Sequence, residues 1–175
     1  MAEAGWTKNA DGILEKNGQE FAIILWVASM TERVQVATVL QSEMSEVGIK
    51  ATIQQFDSAS YNDMFKTGEQ QAYVAQYGWD NMDILEWFFN GERIASGVNK
   101  TRTDNSLLNF LFVKAEAMPT LEERTFVYRL VHQYLIEQSP WVPIFYPGLI
   151  RAYKSDLGGY TATMDHAYLL DVYRK

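Results

Sequence analysis

Two aspartates and two tryptophans crowd the stretch "YGWDNMDILEWFF", residues 77–89. A carboxylate beside indole faces can hold a cationic group, the acid pairing the charge and the rings stabilising it through their quadrupoles. Asp80 follows "AYVAQYGW", Ala72 to Trp79, which reads as a buried strand. Ligands of open α/β sheets sit just beyond the carboxyl ends of strands. Asp80, flanked by Trp79 and with Trp87 one helical turn away, is therefore a candidate ligand carboxylate. Asp83 has a competing explanation, because Glu86 stands three residues on and the pair is spaced as a capping box. Trp79 and Trp87 suit a packed core equally well. Both readings of these residues stay open at the level of residue types.

Other chemistry is sparse. The chain has no cysteine, which excludes disulfides and thiolate catalysis, and only two histidines, too few for an imidazole zinc site. His132 lies mid-helix in "YRLVHQYL" and reads as structural. Asp165-His166 is an adjacent acid–imidazole pair, but no activated nucleophile lies nearby for it to serve. No phosphate-cradling glycine loop or nucleophile elbow is present. The expectation is a protein that is not an enzyme and carries no cofactor and no metal.

The 175 residues are 47% hydrophobic and 21% charged, enough for one domain with a core. Net charge is −7 with no basic cluster, which argues against nucleic acid and against anionic membrane surfaces. The apolar run "FAIILWVA" is too short to span a bilayer, so no direct membrane insertion is expected, and no export signal precedes it.

The elements that must position Asp80 and Asp83 follow from periodicity. "MAEAGW" reads as the last turn of a helix stopped by Gly5, and the Asp11-Gly12 and Asn17-Gly18 turns frame a hairpin that leads into an apolar strand from Phe21. Thr31 caps a helix with Val36, Leu40, Met44 and Val47 on one face, ended by Gly48. A strand at "IKATIQQF", a helix from Ser58, the strand at Ala72 and the helix "DILEWFFN" come next. This alternation specifies an α/β fold, a mixed sheet with flanking helices and at least part of it parallel. Phe88, Phe89 and Trp26 belong to the core; Trp141, just after Pro140, either wedges a corner or lines a cleft. Residues 91–104 form a loop, two long helices follow (the second with a Thr120/Glu123 capping box), and "VPIFYP" and "LIRAYKS" read as closing strands.

In this order the landmarks resemble the solute-binding proteins of peptide, nickel and related ABC importers, extracellular solute-binding protein family 5. Four stretches carry the resemblance: "AEAGWTKNADGILEKNGQEFAIIL"; the helix ending in Gly48-Ile49 with its strand, helix and Gly78-Trp79; "NSLLNFL…PWVPIFYP" with Glu122, Glu123 and Arg124 at a helix start; and "YKSDLGGY". The resemblance implies one lobe of a type II periplasmic-binding-protein-like clamp. Residues 1–158 would form most of the second, carboxy-terminal lobe, and 159–175 a tail that crosses back to a missing first lobe and packs loosely without it. It implies periplasmic or extracytoplasmic capture of a small solute, a peptide among them, for an ABC permease in the membrane. In peptide-binding members an aspartate shortly after the Gly-Trp landmark pairs with the ligand's amino terminus. Here Met82 stands where related loops carry proline, so alignment favours Asp83, while freedom from capping favours Asp80. The alternative is a self-contained protein–protein interaction domain that uses an exposed aromatic surface around Trp79, Trp87 and Trp141.

Overall fold

The computed structural model describes residues 1–79, 81–148, 150–162 and 167–175. Gly5, in the left-handed region at φ 81°, ends the single 3-10 turn Ala2–Ala4. A small antiparallel sheet follows, β1 (Thr7–Lys8), β2 (Leu14–Lys16) and β3 (Gln19–Glu20). Asn17 and Gly18, both at positive φ, make the two-residue turn that sets Lys16 opposite Gln19.

The central sheet is built from β4 (Ala22–Ala28), β5 (Lys50–Phe56) and β6 (Ala72–Val74), in the order β5-β4-β6. All its pairings are parallel, with Ala22 opposite Lys50 and Leu25 opposite Ala72. Parallel neighbours need crossovers, and α1 (Thr31–Glu46) and α2 (Ser58–Met64) supply them. Alternation along β4 splits the core. Leu25 and Val27 meet Ala37 of α1 and Val74, while Trp26 and Ala28 meet Tyr61 and Phe65 around α2. Gly48 turns α1 into β5 at φ 90°, where a Cβ would lie 2.8 Å from the Gly12 carbonyl oxygen. Only glycine fits there without a shift of backbone.

A third cluster is helical. α3 (Ile84–Phe89), α4 (Ser106–Ala117) and α5 (Leu121–Gln138) enclose Phe89, Leu108, Phe112, Tyr128 and Val131. Asn105 caps α4 by accepting from the Leu107 and Leu108 amides, and Thr120 with Glu123 closes the expected capping box on α5. Among the described residues no helix is long and apolar enough to cross a membrane.

Several expectations are corrected. The strand from Ala72 stops at Val74, because the Tyr61 hydroxyl takes the Val74 carbonyl at 2.7 Å and Tyr77 swings onto Phe88. The cap of α1 is Met30, without a side-chain bond, and Thr31 is already helical. Val47 is exposed; the face of α1 that packs is Val34, Val36, Ala37 and Leu40. The described parts of "VPIFYP" and "LIRAYKS" form no strand. Their alternation supplies β-propensity, but a strand persists only through a ladder, and Val142, Tyr146 and Ile150 stand exposed. Short antiparallel pairs close the chain: β7 (Leu157–Gly158), just before the tail, with β10 (Tyr173–Arg174), and β8 (Thr161–Ala162) with β9 (Ala167–Tyr168) within it.

Candidate functional site

After Val74 the chain leaves the sheet at the carboxyl end of β6 and runs through Tyr77, Gly78 and Trp79 towards α3. Trp79 is 61% exposed. Asp80, like Asp165 and His166, lies outside the described residues.

Asp83 precedes α3 but makes no cap. Its backbone is already helical, at φ −64° and ψ −18°, and its carboxylate turns to α5 instead. Oδ1 accepts from the Tyr128 hydroxyl at 2.8 Å, and Oδ2 lies 3.6 Å from Arg124 Nη1. The capping box with Glu86 is therefore absent, because both carboxylates have stronger partners. Burial, with the Asp83 hydrogen bond added, pushes the Tyr128 phenol far above its usual range. Glu86 is buried and accepts from Asn90 Nδ2 and, through both oxygens, from Arg93 Nε and Nη2. That fork holds the Arg93 guanidinium 5.1 Å from the centre of the Trp87 ring. One face of Trp87 thus already carries a cation, one supplied by the chain itself.

Tyr77, Phe88, Phe89 and Trp141 form a continuous ring cluster, with centroid separations of 4.1 Å for Tyr77–Phe88 and 4.6 Å for Phe89–Trp141. Trp141 therefore wedges the corner after α5, while Trp79 and Trp87 remain outside the cluster, Trp87 48% exposed. Phe88, Phe89 and Trp26 are core, as expected.

Two cavities flank this region. One, about 420 Å³, runs along α5 beside Met82 and is lined by Tyr128, Arg129, His132 and Ile136. The other, about 330 Å³, lies between α2 and the 91–104 loop, with Tyr77, Phe88 and Lys100 on its walls. Asn99 organises that loop: it is 1% exposed, and its amide donates to the Asn90 and Thr103 carbonyls. Lys100 is thereby laid over the rings of Phe65, Tyr61 and Tyr77. Burial, and then the nearby Arg33 charge, lower its pKa to about 8, and burial raises the Tyr77 phenol to about 12. Among the described residues no group of three or more His, Asp or Glu side chains is placed to hold a metal.

Sequence reasoning thus placed Asp83 and both tryptophans at one turn, but it missed Tyr128 and Lys100. Tyr128 looks like any core aromatic of an amphipathic helix, and Lys100 like any loop lysine. Arg124 carried one signal, its place at a helix start.

The model of the bacterial extracellular solute-binding proteins, family 5, matches residues 1–94. The chain is 26% identical over 168 residues to the oligopeptide-binding protein AppA of Bacillus subtilis, an alignment that takes in 91% of this chain and 30% of that protein. Its fold superposes on a dipeptide-binding protein from Pseudoalteromonas in complex with Met-Leu, with a TM-score of 0.73 at 19% identity, over 91% of this chain and 33% of the other. NikZ from Campylobacter jejuni, in complex with Ni(L-His), gives 0.68 at 25% identity, over 79% and 29%. The chain therefore spans about a third or less of the length of each protein it matches here.

Proposed function

This chain belongs to the bacterial extracellular solute-binding proteins, family 5, and on that premise we propose that it is one lobe of a clamp that captures a small peptide outside the cytoplasm and hands it to an ABC permease. Peptide is the ligand class that the names of its relatives favour. Residues 1–158 form most of this lobe, and 159–175 reach back to the other lobe. No covalent chemistry is involved: the solute shifts an equilibrium between open and closed clamps by binding the closed one more tightly.

The observation that carries the reading is the segment after β6. It leaves the carboxyl end of a parallel strand beside β4, where open α/β sheets take their ligands, and it presents Trp79 to solvent. Of the two acids, Asp80 is the amine-pairing carboxylate. Asp83 has one oxygen bound by Tyr128 and the other facing Arg124, so it serves to anchor α3 to α5. Trp79 supplies the apolar wall for the ligand, and Trp87 a second one through its face away from Arg93.

A second reading rests on a separate observation. Trp79 and Trp87 are 61% and 48% exposed, aromatic side chains of the kind a protein partner covers, while Trp141, the third residue of that reading, is packed against Phe89.

Calorimetry with a panel of di- and tripeptides, on the longest polypeptide carrying this chain, tests the proposal. Binding that Asp80→Asn weakens at least about tenfold supports it, since a charge-assisted hydrogen bond contributes about 1.5–3 kcal/mol. Equal affinity in Asp80→Asn would remove the assigned role.

A further inference from the structure

Lys100 has an unusual set of neighbours for a lysine. Its Nζ donates to Asn62 Oδ1 at 2.9 Å and sits 4.6 Å from the Phe65 ring centre, 5.0 Å from that of Tyr61 and 5.8 Å from that of Tyr77. Rings and a neutral amide stabilise an ammonium, yet they do not neutralise it. Among the described residues no carboxylate pairs with it. Asp63, on the wall of the same cavity, is already bound to Lys66 at 2.7 Å. Arg33, from the first turn of α1, adds a second positive charge close enough to act on Lys100, Tyr61 and Tyr77. Its Nε is buried and has no hydrogen-bond partner. Lys100, on the wall of a cavity of about 330 Å³, and Arg33 near it thus carry two positive charges, and among the described residues no carboxylate pairs with either.

The geometry points to an anion subsite: the cavity walled by Tyr77, Ser96, Gly97 and Lys100 receives the carboxylate of the captured solute, with Lys100 Nζ as its pairing cation. Ser96 has a hydroxyl at this wall, donating for now to the Arg93 carbonyl. Gly97 lets the loop close on Lys66, where a Cβ would lie 3.0 Å from that side chain. Tyr77 belongs both to this wall and to the segment that carries Trp79, so the subsite adjoins the proposed capture segment. The identity of the anion as a peptide carboxylate rests on the clamp reading; the excess of positive charge in the cavity does not.

Protonation follows from the same environment. With a pKa of about 8, Lys100 is mostly charged at neutral pH and loses its charge as pH rises through that value. A bound carboxylate favours the charged form and moves the value back up. The groups facing it are Arg33 of α1, Tyr61 and Asp63 of α2, Lys66 in the turn after α2, and Tyr77 after β6. Of these Asp63 is the one carboxylate, and it is paired with Lys66.

Two readouts test the subsite. In the first, the acetylation rate of Lys100 is followed by peptide mass spectrometry across alkaline pH, in sodium acetate and in sodium chloride of equal ionic strength. The expected result is an apparent pKa near 8 in chloride that rises in acetate; identical curves in the two salts would overturn the subsite. In the second, trialanine and its carboxy-terminal amide are titrated into the longest polypeptide carrying this chain and into its Lys100→Met and Lys100→Gln variants. Amidation and Lys100→Met should each weaken binding by about tenfold, and together by little more than either alone. A free acid and an amide that bind the wild type equally would overturn the assignment. If acetate shifts Lys100 but trialanine does not bind, the anion subsite stands and the peptide reading falls. Circular dichroism of both variants checks that any loss is not misfolding.

Discussion

Removing the Tyr128 hydroxyl is predicted to loosen α3 from α5 without touching the solute. Tyr128 is 1% exposed, and its hydroxyl donates to Asp83 Oδ1 at 2.8 Å. Hydrogen bonds to charged groups contribute about 1.5–3 kcal/mol, but Asp83 is half exposed, so water replaces part of the lost bond and the lower end applies, about 1–2 kcal/mol for Tyr128→Phe. Asp83→Ala should cost at least as much, because it leaves a buried phenol without an acceptor. The Arg124 pair adds little: at 3.6 Å and partly exposed it contributes about 0–1 kcal/mol. For a chain of this size each kcal/mol moves Tm by about 2–4 °C, so each variant should melt about 2–8 °C lower. The assay is thermal and urea unfolding of wild type, Tyr128→Phe, Asp83→Ala and the double variant. A coupling energy of about 1–2 kcal/mol is expected, with peptide affinity kept in all of them. Additive losses, or a collapse of peptide binding in Asp83→Ala at unchanged Tm, would refute the division of labour between Asp83 and Asp80.

Phe112→Ala empties the centre of the helical cluster, where the ring is 1% exposed, and should lower stability by about 3–5 kcal/mol in urea unfolding. Gly48→Ala forces a methyl group to within 2.8 Å of the Gly12 carbonyl at φ 90°; about 1–3 kcal/mol should be lost, again read by denaturation. Lys100 has a folded pKa of about 8 against 10.5 for the free side chain, so between those values the unfolded chain holds more protons and stability rises with pH. Below pH 8 the group is a standing penalty, on the order of 1 kcal/mol once its partial exposure is allowed for. Lys100→Met should therefore raise Tm at pH 7 and flatten the alkaline rise.

Much of the fold was legible because local and global preferences agree in it. Ile49, Ala51 and Ile53 alternate, Gly48 ends α1, and Thr120 with Glu123 opens α5, each a short-range signal that the packed structure keeps. What failed depends on partners distant in sequence. Where β6 ends is set by a phenol thirteen residues upstream, Tyr61, which takes the Val74 carbonyl. The capping box at Asp83 has the right spacing and is overridden by Tyr128, 45 residues away. Residues 142–148 have strand composition without a ladder. Of the proposed site, the aspartates and tryptophans of residues 79–87 could be named from type and spacing. Lys100 could not, since its charge matters only once Asn99 has folded the loop over the rings of Tyr61, Phe65 and Tyr77.

Native mass spectrometry of the longest polypeptide carrying this chain, isolated undenatured from its own host, shows whether it captures a small solute without covalent attachment. The expected result is a retained small molecule of peptide mass that is released on unfolding and lost in Asp80→Asn. Isolation in stoichiometric complex with another protein, with no solute bound and none taken up from added di- and tripeptides, would contradict it and favour the interaction-domain reading.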